Sequence, residues 1–263
     1  MKWKIVINCI SLWLVSFHFL VALELDRVIL SSDSNHKYIH FWPLVARAWQ
    51  RLGIKPTLIF IDDGSSLQLD ETCGDVIRFP ALPGIPTSFQ AQVIRLFAPA
   101  LFSNDVCIVS DIDMFPLSKT FFKDQIRSYN RDCFIVYRAA AYGENAHRYP
   151  MCYVAALGRN FGEIFCIRNF SDITQVIRRW YNKKLGYSTD ELMLYQYLKA
   201  WRHFKNKCVL LANQEVQRID RTKWNYSDTL LAQDFYVDAH LLRPYSKYKK
   251  QIDSLARKLG ILS

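Results

Sequence analysis

From residue 25 onward, short and nearly uninterrupted apolar runs alternate with stretches whose apolar residues recur at helical spacing. The runs "DRVILSS" (26–32), "TLIFIDD" (57–63), "DVIRFPAL" (75–82) and "DVCIVSD" (105–111) read as buried strands. Between the first two, "YIHFWPLVARAWQRLG" sets Tyr38, Trp42, Val45, Trp49 and Leu52 on one helical face, with Pro43 in the first turns and Gly53 as the stop. "FQAQVIRLFAPALF" reads as a second helix. Strands that alternate with helices predict crossover units and a mostly parallel sheet, flanked by helices, in a single α/β domain over residues 25–245. A chain of 263 residues that is 51% hydrophobic fills the core this requires.

The second half continues less regularly. "CFIVYRA" (133–139), "YVAALG" (153–158) and "KCVLLAN" (207–213) read as strands, and residues 172–184 and 190–201 as helices. Residues 246–263 form a basic C-terminal tail, most simply a solvated face. The net charge of +10 favours anionic partners without choosing among them. Nucleic acid is excluded as the natural partner, because the basic residues are scattered and no recognition module is present.

The first 24 residues are different. After Lys2 and Lys4 no acidic or basic side chain occurs before Glu24, which leaves 19 uncharged residues, 5–23. About 20 residues span a bilayer as a helix, so the run is long enough for a signal anchor. It equally suits a secretory signal peptide with "LVA" as its cleavage site; a buried first helix is the third reading. The basic start and the acidic Glu24 and Asp26 put the body on the lumenal or extracytoplasmic side, membrane-associated or secretory. Cys9 lies in the run. The other six cysteines permit disulfides in an exported chain, although Cys107 and Cys208 sit in apolar segments as core residues. No CxxC pair suggests zinc.

One strand ends in chemistry. In "VCIVSDIDMFPLS" (106–118) four apolar residues lead into Asp111 and Asp113, and apolar Met114, Phe115 and Pro116 follow at once. In an extended segment residues i and i+2 point the same way, so both carboxylates can meet at one point and hold a hard divalent cation, Mg²⁺ or Mn²⁺. Ligands in parallel sheets gather at the carboxyl ends of the strands, which is where the pair stands. The bland alternative has Asp113 capping a helix near "LSKTFF" while Asp111 faces water.

Here the residues resemble a family, the nucleotide-sugar-dependent glycosyltransferases of the GT-A fold, over roughly residues 26–245. In them a D-x-D closing a central strand holds a metal against the donor diphosphate. "YSTDELMLYQYL" resembles their acidic motif at a helix start, and "DAHLLRPYSKY" the late histidine followed by a basic residue and proline found in some groups. The H-to-R-P spacing is shorter here than in that group, so no subfamily is assigned. The resemblance implies a metal set of Asp111, Asp113 and His240. It implies donor contacts from Asp111 and Arg243, with Arg95 adding charge and Ser31 and Ser32 opening a loop around base and ribose. Asp190 and Glu191 become the catalytic candidates: Asp190 would take the acceptor proton if the reaction inverts, or orient the donor sugar if it retains. Taken alone, Ser188 to Glu191 spell a helix capping box, and His240 is one of six histidines that could be a plain interior side chain.

The expected activity is metal-dependent transfer of a sugar from a nucleotide-diphosphate donor to a hydroxyl of a glycan, protein or lipid. Two rivals remain. One is a phosphohydrolase of the haloacid-dehalogenase type, whose D-x-D closes the first strand of its domain. The other is a GT-A-like protein that binds nucleotide sugar without turnover.

Overall fold

The computed structural model describes residues 22–143, 145–212 and 216–262. The chain runs β1 (Arg27–Ser32), α1 (Trp42–Arg51), β2 (Lys55–Asp62), β3 (Asp75–Pro80), α2 (Thr87–Ile94), β4 (Val106–Val109), β5 (Met114–Pro116) and the short α3 (Lys119–Phe122). It continues through β6 (Phe134–Val136), β7 (Val154–Leu157), α4 (Gly158–Phe165), α5 (Phe170–Asn182), α6 (Thr189–Ala200) and α7 (Phe204–Lys207). β8 (Cys208–Leu210), β9 (Gln217–Ile219), α8 (Asp228–Ala232), β10 (Tyr236–His240) and α9 (Tyr245–Lys258) close it.

Seven strands form the main sheet in the order β3-β2-β1-β4-β7-β6-β8. Neighbours are parallel except where β7 runs antiparallel to both β4 and β6. The apolar runs are nearly continuous because helices cover both faces, so each strand must be apolar on both sides. Alternate residues divide between two cores: Val28, Leu30, Leu58, Phe60, Val106 and Ile108 on one face, Ile29, Ile59, Ile61, Cys107 and Val109 on the other. α1 covers the first face with fully buried Trp42 and Trp49, and Pro43 sits in its first turn, where the missing N–H costs nothing. On the second face Ile94, Phe161, Ile177 and Leu194 bring in α2, α4, α5 and α6. Gly158 is required at the start of α4, because a Cβ there would stand 2.2 Å from the Phe102 carbonyl oxygen.

A second sheet, β5-β10-β9, lies beside the first core. It explains why apolar residues resume directly after the aspartates: Met114 to Pro116 are β5, fully covered and paired antiparallel with β10, with His240 opposite Met114. The segment read as a basic tail folds as α9, and its Ile252, Leu255 and Ala256 are buried in the first core.

The uncharged N-terminal run falls almost wholly outside the described residues. Its last part joins the body, since Ala22 bridges to Asn130, the Leu23 amide donates to the Tyr129 carbonyl at 2.9 Å, and Leu23 and Leu25 are buried. Among the described residues no helix is long and apolar enough to cross a membrane. The six described cysteines are free thiols, Cys107 buried and Cys208 half-buried.

Candidate active site

The D-x-D segment leaves β4 as a turn rather than an extended run. The Met114 amide donates to the Asp111 carbonyl at 3.1 Å, so the i, i+2 argument for a shared direction does not hold, and the two carboxylates take different partners. Ser118, not Asp113, caps the following helix by accepting from the Phe121 amide at 2.9 Å. The Asp113 carbonyl accepts from the Leu241 amide at 2.9 Å, which fastens the turn to the end of β10 and brings the late histidine segment to the aspartates.

Asp113 is buried, and one of its oxygens gathers three partners. Oδ2 lies 3.2 Å from Arg221 Nη1, 3.5 Å from His240 Nε2 and 3.6 Å from Arg243 Nη1. Arg221 also donates from Nε to His240 Nδ1 at 3.2 Å, so one guanidinium spans the carboxylate and the imidazole. Burial pushes the His240 imidazole down to about 4, helped by Arg221 and Arg218 and opposed by Asp113. Arg243 stacks over the Tyr38 ring at 4.9 Å and bonds its hydroxyl. Beneath His240, fully buried Asp238 accepts from Arg218 Nε at 2.6 Å and from the Tyr153 hydroxyl at 2.8 Å. A buried carboxylate held on two sides fixes β9 and β10 below the site.

Asp111 belongs to a second group. It bonds Arg95 Nη1, while Arg95 Nη2 reaches Asp190 Oδ2 at 2.9 Å. Asp190 is buried, and its other oxygen accepts from Gln92 Nε2 at 2.9 Å and from the Glu191 amide at 3.0 Å. Burial raises its carboxyl above the ordinary value against the opposing pull of Arg95. The capping box spelled by the sequence is not formed: the Ser188 side chain makes no cap bond, and Glu191 instead accepts from the Tyr142 hydroxyl, with Arg148 Nη1 at 3.5 Å. Burial raises the Glu191 carboxyl as well, against the Tyr142 hydrogen bond.

Ser31 and Ser32 stand at the carboxyl end of β1 with their hydroxyls already donating, to the Ala91 and Asp33 carbonyls at 2.5 and 3.0 Å. Buried Asp33 beside them accepts from Thr87 Oγ1 at 2.8 Å. β1 and β4 are parallel neighbours in the middle of the main sheet, so Ser31, Ser32 and the two aspartates leave it at the same end. The D-x-D follows β4 rather than β1, unlike the arrangement expected of the hydrolase rival.

The donor set suits a hard divalent cation in part. Asp113 and His240 offer a carboxylate and an imidazole that is uncharged at neutral pH, the form a metal accepts. Among the described residues, however, no three His, Cys, Asp or Glu side chains stand grouped as a metal cluster, and Asp111 is drawn to Arg95.

Sequence reasoning missed Arg221, Gln92, Tyr142 and Arg148. Gln92 was findable, since it lies three residues before Arg95 on α2 and so shares its face. Arg221 sits in an irregular turn after β9, where no periodicity marks it.

No protein-family model matches the chain, and no curated protein is detectably similar to it in sequence. Solved structures do match its fold. The glycosyltransferase GlyE of Streptococcus pneumoniae TIGR4 superposes with a TM-score of 0.50 at 12% identity over 90% of this chain. The chain spans 64% of the length of that protein. The galactosyltransferase LgtC, solved with donor and acceptor sugar analogues, gives 0.49 at 10% identity, covering 90% of this chain and 100% of its own. The architecture, a seven-stranded mostly parallel sheet between helices, is that of GT-A-type glycosyltransferases.

Proposed function

We propose that the protein is a divalent-metal-dependent glycosyltransferase that moves a sugar from a nucleotide-diphosphate donor to a hydroxyl acceptor on a glycan, protein or lipid. One observation carries this reading. The segments at the ends of β9 and β10 bring Arg221, His240 and Arg243 to one carboxylate oxygen of Asp113, with the Asp111–Arg95–Asp190 chain beside it. Carboxylate and imidazole for a hard cation, next to guanidiniums for phosphate, is the equipment that diphosphate departure needs.

Asp113 and His240, with Asp111 beside them, would hold Mn²⁺ or Mg²⁺, which supplies Lewis-acid stabilisation of the leaving nucleotide diphosphate. Arg243 neutralises a phosphate oxygen, and Tyr38 keeps its guanidinium aimed. The turn opened by Ser31 and Ser32 borders base and ribose through its backbone, since both hydroxyls are engaged. Arg95 faces the donor from the side of Asp111. Asp190 is buried and accepts hydrogen bonds at both oxygens, so it orients Arg95 and the donor sugar rather than drawing a proton from the acceptor. Glu191, half-buried behind Tyr142 and Arg148, borders the acceptor side. The uncharged run at residues 5–23 supports delivery of the body to a membrane or the secretory pathway.

A thermal-shift screen of nucleotide sugars with and without Mn²⁺ tests the reading, because specific stabilisation follows ligand affinity. Stabilisation by one donor class that requires Mn²⁺ is expected. Stabilisation by no nucleotide sugar, or equal stabilisation in excess EDTA, rejects it.

A further inference from the structure

Arg221 holds two of the groups that a cation would need. Its Nη1 lies 3.2 Å from Asp113 Oδ2 and its Nε 3.2 Å from His240 Nδ1. The backbone that presents it is well fixed: Asp220 Oδ1 accepts from the Thr222 amide at 2.7 Å and hydroxyl at 2.6 Å, and its carbonyl accepts from the Trp224 amide at 2.7 Å. We propose that Arg221 is an internal placeholder for the cation, one that metal must displace and that the donor diphosphate then receives. This inference rests on the metal-dependent reading above and adds an order to it.

Two constraints lead there. The first is a proton. In accepting from Arg221, Nδ1 has no hydrogen of its own, so the neutral imidazole carries its proton on Nε2, the nitrogen facing Asp113. A cation on Nε2 needs that proton on Nδ1, and two N–H groups would then face each other across the 3.2 Å contact. Arg221 and a cation on that imidazole nitrogen exclude one another. The second constraint is charge. A cation approaching Asp113 alone meets both Arg221 and Arg243 within 3.6 Å of the same oxygen. A diphosphate removes the conflict by accepting the displaced guanidinium in the bidentate geometry arginine favours. Metal and diphosphate therefore bind as linked ligands, each raising the affinity of the other by the same factor. The linkage belongs in large part to Arg221.

The test measures Mn²⁺ binding to the full chain by electron paramagnetic resonance of the free ion, with and without UDP or GDP. The wild type is compared with Arg221→Met, which keeps the length and removes charge and donors. Wild type should bind Mn²⁺ weakly alone and much more tightly with nucleotide. Arg221→Met should bind Mn²⁺ alone about tenfold or more tightly than wild type, the scale on which groups around a metal's ligands alter affinity. Its gain from nucleotide should shrink to match. If the Met variant does not fold, Arg221→Lys takes its place, since lysine cannot bridge Asp113 and His240 as a fork, and it too should tighten Mn²⁺ binding. Equal or weaker Mn²⁺ binding by the variants, with nucleotide-linked binding intact in wild type, overturns the placeholder alone. Absence of Mn²⁺ binding in every protein, even with nucleotide, overturns both this and the metal-dependent reading.

Discussion

Arg95 Nη2 stands 2.9 Å from Asp190 Oδ2 while the other end of the same guanidinium bonds Asp111. One side chain at the end of α2 thus couples the turn after β4 to the first turn of α6. Lysine offers one ammonium in place of a planar fork and cannot hold both carboxylates in this geometry. Arg95→Lys should cost about 1.5–3 kcal/mol in chemical denaturation, the range for hydrogen bonds to charged groups. Sugar transfer should fall about 10²-fold, as expected when reacting groups shift by an ångström. A variant that is destabilised yet fully active would make Arg95 purely structural.

Asp190 and Glu191 are adjacent, and their surroundings assign them different tasks. Asn at 190 must turn its NH₂ toward either Gln92 or Arg95, both donors, so Asp190→Asn should lose about 1.5–3 kcal/mol of stability and most transfer activity. Gln at 191 can turn its carbonyl oxygen to Arg148 and donate from its NH₂ to the Tyr142 hydroxyl, which accepts as readily as it donates, so Glu191→Gln should keep activity within a few-fold. Steady-state transfer by both variants decides this, and the reverse order would move the main role to Glu191.

The sheet and its helices were legible because a strand covered on both faces has to be apolar throughout, and α1 has to repeat every three or four residues. The reversal of β7 was not legible: "YVAALG" is equally apolar in either direction, and only pairing with β4 and β6 sets its sense. β9 and β10 escaped notice because they are short, and β10 carries buried Asp238, which reads as polar although Arg218 and Tyr153 satisfy it. α9 read as a tail since its lysines outnumber the few apolar residues that anchor it. At the site, Asp111, Asp113, Asp190, His240 and Arg243 stood out as charged residues beside strand and helix ends. Their partners did not. That Arg95 would face carboxylates, and that Arg221 would reach Asp113, depends on side chains separated by 95 and 108 positions in sequence.

Asp113→Asn keeps the shape of the side chain and removes the charge on which His240, Arg221 and Arg243 converge. Nucleotide-linked Mn²⁺ stabilisation should vanish in thermal shift while a cooperative melt survives. Wild-type transfer that persists in excess EDTA would remove the reason for the loss.

Removal of residues 1–21 should leave a folded protein with unchanged donor binding. Removal of residues 1–25 also takes Leu23 and Leu25, buried at 0% and 4% exposure, at about 1.5–3 kcal/mol for each lost side chain. Denaturation of the two truncations side by side reads the difference. Equal stability would show that the Leu23 contact with Tyr129 contributes nothing.

His240 gives the site a pH signature with a definite sign. Its imidazole is pushed down to about 4 by burial, then by Arg221 and Arg218, from an ordinary value of 6.5. The unfolded chain therefore takes up this proton first as pH falls, and stability declines where the unfolded state binds more protons. The loss begins near pH 6.5, continues to about pH 4 and adds nothing below it. At about 1.4 kcal/mol per pH unit the group accounts for about 3 kcal/mol across that window. Other carboxylates titrate at its lower end, so the measurement is a difference. In EDTA, wild type should lose about 3 kcal/mol more than His240→Gln between pH 7 and pH 4. Parallel stability curves for the two proteins would mean that the imidazole titrates in the folded protein as it does in the unfolded chain, so that burial does not hold it neutral below pH 6.5.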